Sequence, residues 1–112
     1  LYTIAEGMAY LDDIGGLAHT MLHIDTVSMN ISEGDIGAAI RAGRGRIGHV
    51  HLCDNDRCYP GHGHYNFAET LQALNDIGYT GALALEEKPL PDTRTAARRS
   101  LAYLRAALGA LR

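Results

Sequence analysis

Three short apolar runs, each followed by a stretch with helical spacing, constrain this chain more than any other feature. They are TMLHIDT (20–26), RIGHVHL (46–52) and ALALEE (82–87). Runs of this length, partly β-branched and bounded by turn residues, read as strands. Helix-period segments alternate with them. Residues 2–14 carry Ile4, Met8 and Leu11 at i, i+4 and i+7, and Gly15 with Gly16 supplies the stop. Ser32, with Asp35 three residues on, suits the cap of a second helix whose inner face is Ile36 and Ile40. Asn66 with Glu69 resembles another cap, ahead of Phe67, Leu71, Leu74 and Ile77 on one side. From Thr93 on, Leu101, Leu104, Leu108 and Leu111 share a stripe.

Helix and strand alternating in this way predict parallel strands joined by right-handed crossovers. An open sheet of three strands leaves two unprotected edges. The same units fit consecutive sectors of an eight-unit barrel, which typically needs about 250 residues. The expectation for these 112 residues is therefore an α/β fold: one partial domain over 1–112, about three βα units forming the C-terminal portion of a (β/α)8 barrel. A helix-like start at Leu1 without an initiator Met agrees with a beginning inside something longer.

Composition narrows the partners. Hydrophobic residues make up 46% and charged residues 21%, ordinary for a packed chain. The formal charge of −3 and the lack of a long basic run argue against nucleic acid. No apolar run approaches the roughly 18–20 residues that cross a bilayer, and the N-terminus has no basic leader pattern. A cytoplasmic setting follows, in which Cys53 and Cys58 are expected as free thiols.

The chemistry gathers at strand ends. Asp25 closes the first run, His51 stands near the end of the second, and Glu86 near the end of the third. In parallel α/β folds those ends share one face, so the three side chains can converge. Two carboxylates and an imidazole suit one divalent ion, Mn²⁺, Mg²⁺ or Co²⁺, with Zn²⁺ admissible. Any one of the three could equally cap a helix or pair with a basic residue. Period-2 alternation aims His49 and His51 at one face, where His49 also fits a buried, hydrogen-bonded histidine. A second reading is a zinc module, since His49, His51, Cys53, Cys58, His62 and His64 crowd into sixteen residues.

Two blocks carry a resemblance: IDTVSMNISEGDIGAAIRAG, and GHVHLCDNDRCYPGHGHYNFAETLQALNDIGYTGALALEE. They look like the last three βα units of the sugar phosphate isomerase/epimerase superfamily, the xylose-isomerase-like TIM barrels, and most resemble ketose 3-epimerases. The resemblance implies one divalent metal held by Glu, Asp, His and Glu from successive strands, here Asp25, His51 and Glu86, with the first Glu upstream of residue 1. It implies a small sugar or sugar-phosphate substrate and proton transfer next to a carbonyl through a cis-enediolate, with Glu86 as one of two catalytic carboxylates. Arg57 matches a substrate-contacting arginine, although an ion pair with Asp54 or Asp56 is its ordinary alternative. Ser28 departs from the pattern, standing where ketose 3-epimerases usually have a substrate-binding histidine. A serine still donates one hydrogen bond but does not titrate near neutrality. Two further readings stay open: an endonuclease IV relative, which the acidic balance disfavours, and a catalytically inactive barrel fragment. The open strand edges point to a homo-oligomer.

Overall fold

The computed structural model describes residues 1–111. Thr3 starts the first helix, α1 (Ile4–Asp13), by accepting a hydrogen bond from the Glu6 amide, while Glu6 Oε2 accepts from the Thr3 amide at 3.1 Å. This reciprocal cap satisfies amides that lack partners within the helix. Ile4 and Leu11 are buried on its inner side, with Met8 packed against the core.

The first strand, β1 (Leu22–Asp25), is shorter than the apolar run 20–26. Asp25 ends it by turning into a helix cap, its Oδ1 accepting from the Ser28 amide at 2.9 Å. The residues that follow, expected as the close of a strand, wind instead into α2 (Thr26–Ser32). Ser32 therefore does not cap the next helix. Its hydroxyl donates to the Ser28 carbonyl, and Asp35 alone caps α3 (Ile36–Ala42), accepting from the Ala38 amide at 2.8 Å.

The remaining elements are β2 (Ile47–Leu52), a short 3₁₀ turn (Asn55–Arg57), α4 (Phe67–Asp76), β3 (Leu83–Leu85) and α5 (Thr93–Gly109). The sheet order is β1-β2-β3 and both pairings are parallel, as the alternation of elements predicts. Asn66 caps α4 as expected, accepting from the Glu69 amide at 3.2 Å. Among the described residues no helix is long and apolar enough to cross a membrane.

One irregularity aims the sheet. Leu22 pairs with Ile47, but the next pairing, His23 with His49, skips Gly48. The extra residue lets Leu22 and Ile47 join Ile24, Val50 and Leu52 in the hydrophobic cluster under the helices. His23, Asp25, His49 and His51 are left on the opposite face. A Cβ on Gly48 would lie 2.8 Å from the Met21 Cβ, so the bulge requires glycine. On the helix side Val50, Leu52 and Ile40 are fully buried against Phe67 and Leu71, each contributing roughly 1.5–3 kcal/mol.

The last helix packs on a different stripe from the expected one. Leu104 is buried, but Leu101 and Leu108 are exposed, and the inward line runs through Ala96, Ser100, Leu104, Ala107 and Leu111. Small residues bring the helix close enough for the Ser100 hydroxyl to donate to Glu87 Oε2 at 2.7 Å.

The loop after β2 is organised by a buried carboxylate. Asp54 accepts from the amides of Asn55, Gly61, Gly63 and Tyr65 at 2.8–3.1 Å. Burial pushes its pKa up, but the four amides outweigh that and hold it below the ordinary value. A group depressed in this way stabilises the fold fully above its unfolded pKa of about 3.9 and loses the contribution as pH falls through the folded value. Asp54→Asn turns an amide donor toward those amides and is expected to cost about 3 kcal/mol at pH 7. Urea unfolding at pH 7 and pH 3 checks this: the variant should lose stability at neutrality and show a flatter acid limb. Equal stability of variant and parent at pH 7 would contradict it.

Candidate functional site

The seam between β1 and β2 is held at its C-terminal end by Thr26. This fully buried side chain donates to the Cys53 carbonyl at 2.7 Å and accepts from the Cys53 amide at 2.9 Å. It thus extends the ladder one residue beyond the strand, after the Thr26 backbone has turned into α2. Just before it, Asp25 and His51 are register partners. Across β2, the Glu86 amide donates to the Leu52 carbonyl at 3.2 Å and brings Glu86 to the same end of the sheet.

Asp25, His51 and Glu86 each place a donor atom within 4.8 Å of the other two. His51 Nδ1 lies 3.3 Å from Glu86 Oε2. It is nevertheless misaligned for a hydrogen bond and, buried from water, has no hydrogen-bond partner among the described residues. An unsatisfied buried group of this kind costs about 1–3 kcal/mol. An imidazole and two carboxylates gathered in this way are a donor set that fits a divalent ion of the Mn²⁺, Co²⁺ or Mg²⁺ type and admits Zn²⁺.

Arg57 joins the same group. It belongs to a turn in which Asp56 and Arg57 both have left-handed φ, 57° and 56°, at a cost on the order of 1–2 kcal/mol each. The turn is closed by the Lys88 amide on the Arg57 carbonyl and the Asp54 amide on the Cys58 carbonyl, each at 2.7 Å. From there the guanidinium donates to Glu86 Oε2 at 2.6 Å and lies 3.5 Å from Asp25 Oδ2. The ordinary alternatives are engaged elsewhere, Asp54 by backbone amides and Asp56 by Lys88 Nζ at 2.9 Å. Burial raises the Asp25 pKa, yet the Ser28 amide and the Arg57 charge outweigh it and hold the carboxyl below its ordinary value.

Ser28, expected from the sequence to depart from the family pattern, lines a cavity of about 380 Å³ with Asp25, Arg57, Glu86 and His23. His49 is half-buried beside His51, with ring centres 4.9 Å apart. The expected zinc donors are dispersed. Cys53 is buried, Cys58 is half-buried, His62 and His64 are exposed, and among the described residues they form no group of three converging donors.

Two residues central to this geometry escaped sequence reasoning. Thr26 and Asp54 act on backbone 27 residues away and 1–11 residues away respectively. The only local hint was a polar residue closing the first apolar run and another two residues beyond the second.

The chain belongs to the xylose isomerase-like TIM barrel family, whose model matches residues 1–107. It is 42% identical over 86 residues to an L-ribulose 3-epimerase of Mesorhizobium japonicum, covering 77% of this chain and 29% of that protein. A D-psicose 3-epimerase of Enterocloster bolteae is also 42% identical over 86 residues, with 77% and 28% covered. A solved structure of L-ribulose 3-epimerase superposes with a TM-score of 0.90 at 32% identity, over 97% of this chain and 42% of the other. The chain thus spans about three-tenths of the curated relatives it matches.

Thr26→Val keeps the shape of the side chain and strands the Cys53 amide and carbonyl in the interior. The expected loss is about 2–4 kcal/mol of unfolding free energy, measured by urea denaturation. A loss under about 1 kcal/mol would show that the seam does not depend on this hydroxyl.

Proposed function

We propose that this segment forms the cation-binding and proton-transferring part of a sugar epimerase site, acting on a small ketose or its phosphate. The observation that carries the reading is the convergence of Asp25, His51 and Glu86, with the orphaned His51 Nδ1 3.3 Å from Glu86 Oε2. The family and the ketose 3-epimerase relatives support it.

Asp25, His51 and Glu86 would hold one divalent ion, Mn²⁺, Co²⁺ or Mg²⁺, with Zn²⁺ a tolerable substitute. Such an ion, when bound, supplies Lewis acidity that makes the proton beside a ketose carbonyl easier to remove. Glu86 takes up and returns that proton, a role open to a carboxylate standing within reach of the reacting carbon. Arg57, held by Glu86 and Asp25, offers its remaining N–H donors to substrate oxygens and steadies negative charge that develops on them. Ser28 offers one neutral hydrogen bond at the cavity wall. The same reading carries a cytoplasmic setting with both thiols reduced, and covering of the open sheet edges by further barrel strands or by another copy.

With Mn²⁺ and L-ribulose or D-psicose in D₂O, the protein is expected to exchange the proton on the carbon beside the carbonyl, followed by proton NMR. Glu86→Gln should slow the exchange by at least about 100-fold, the low end for loss of general acid–base catalysis. Exchange that is equally fast in the variant would overturn Glu86 as the acid–base group. No exchange in the parent would favour a catalytically inactive segment.

A further inference from the structure

An arginine side chain that solvent reaches keeps many rotamers, and that of Arg57 is 43% exposed. Its guanidinium is nevertheless set on Glu86 Oε2 at 2.6 Å and lies 3.5 Å from Asp25 Oδ2. The backbone supplies the direction. Asp56 and Arg57 both take left-handed φ, a region that residues other than glycine mostly avoid. Relaxation of either residue to the right-handed region would swing the Arg57 Cα–Cβ bond away from the strand ends. Lys88 holds both residues of this turn: its amide donates to the Arg57 carbonyl at 2.7 Å, and its ammonium reaches Asp56 Oδ1 at 2.9 Å. Among the described residues, no other hydrogen bond or ion pair engages the Asp56 carboxylate. Lys88 also stands two residues beyond Glu86. The segment that supplies the carboxylate partner of the guanidinium therefore also fixes the turn that aims it.

We propose that Asp56 and Lys88 are a positioning pair that aims Arg57 at the site. Neither side chain lines the cavity beside Asp25 and Glu86, so the pair acts through the Arg57 backbone. It closes with side chains the same turn that the Lys88 amide closes with a backbone bond. An exposed ion pair adds little to the stability of a whole chain. Its effect falls instead on the orientation of one long side chain. The consequence for substrate rests on the proposed contact of Arg57 with substrate oxygens, whereas the aiming of the guanidinium onto Glu86 does not.

The test is nitrogen-15 NMR of the Arg57 guanidinium in the 112-residue chain and its Lys88→Met, Lys88→Arg and Asp56→Asn variants, with circular dichroism to check folding. Rotation about the Nε–Cζ bond slows when a carboxylate holds Nη1. Asp56→Asn keeps a residue that tolerates left-handed φ and removes the charge. Lys88→Met and Asp56→Asn should each speed the rotation by about threefold or more, the scale of an exposed ion pair, while Lys88→Arg keeps the parent rate. Equal rates in the parent, Lys88→Met and Asp56→Asn would overturn the positioning pair. So would a rotation in Lys88→Arg as fast as in Lys88→Met, because charge would then not be what holds the turn. Deuterium exchange with L-ribulose on the same samples reads the substrate side: KM should rise by a similar factor in Lys88→Met and Asp56→Asn, with kcat changed less. An unchanged KM beside a freed guanidinium would contradict the substrate contact of Arg57 alone. Exchange absent from the parent would contradict the epimerase reading alone, because the rotation is measured without substrate.

Discussion

The reciprocal hydrogen bonds between the Thr26 hydroxyl and the Cys53 backbone hold together what the rest of the site needs. At this point β1 must stop being a strand so that α2 can begin, yet β1 and β2 must stay in register so that Asp25 remains beside His51. A backbone that turns into a helix can no longer serve a parallel ladder. A buried side chain that both donates and accepts serves it instead, and the turn is made without stranding a polar group. Asp25 exploits the same transition. Its Oδ1 caps α2 through the Ser28 amide while its Oδ2 faces Arg57, so the carboxylate is oriented before any ligand arrives.

Two further devices complete the arrangement, and both place irregular backbone next to the chemistry. The bulge at Gly48 lets Ile47 point into the core while His49 and His51 point away from it. The left-handed pair Asp56 and Arg57 turns the guanidinium back over Glu86, and the amides gathered by Asp54 hold the remainder of that loop. Strain and bulges are tolerated where surrounding hydrogen bonds over-determine them, which is the case here.

Much of this was legible in the sequence because much of it is local. Apolar periodicity places helices and strands, and alternation of the two implies parallel pairing, so the α/β architecture and the strand order follow. Asp25, His51 and Glu86 could be singled out because parallel topology collects strand ends on one face. What was not legible is what depends on distant partners. The helix α2 replaces an expected strand end because Asp25 captures the Ser28 amide. The packed stripe of α5 follows its small residues, since Ala96 and Ser100 allow close approach and leave Leu101 and Leu108 outside. Nothing within RIGHVHL announces that Gly48 is skipped; the reason is the Met21 side chain on another strand's approach.

The central claim is that three strand ends gather around one cation. Residue-resolved amide NMR during a Mn²⁺ titration tests it most directly, because paramagnetic broadening falls steeply with distance from the ion. The account predicts that the amides of Asp25, His51 and Glu86 broaden first and together, before those of the loop at His62 and His64 or of the acidic surface at Asp12 and Asp13. Broadening centred on either of those other regions, or spread evenly over exposed carboxylates, would contradict it.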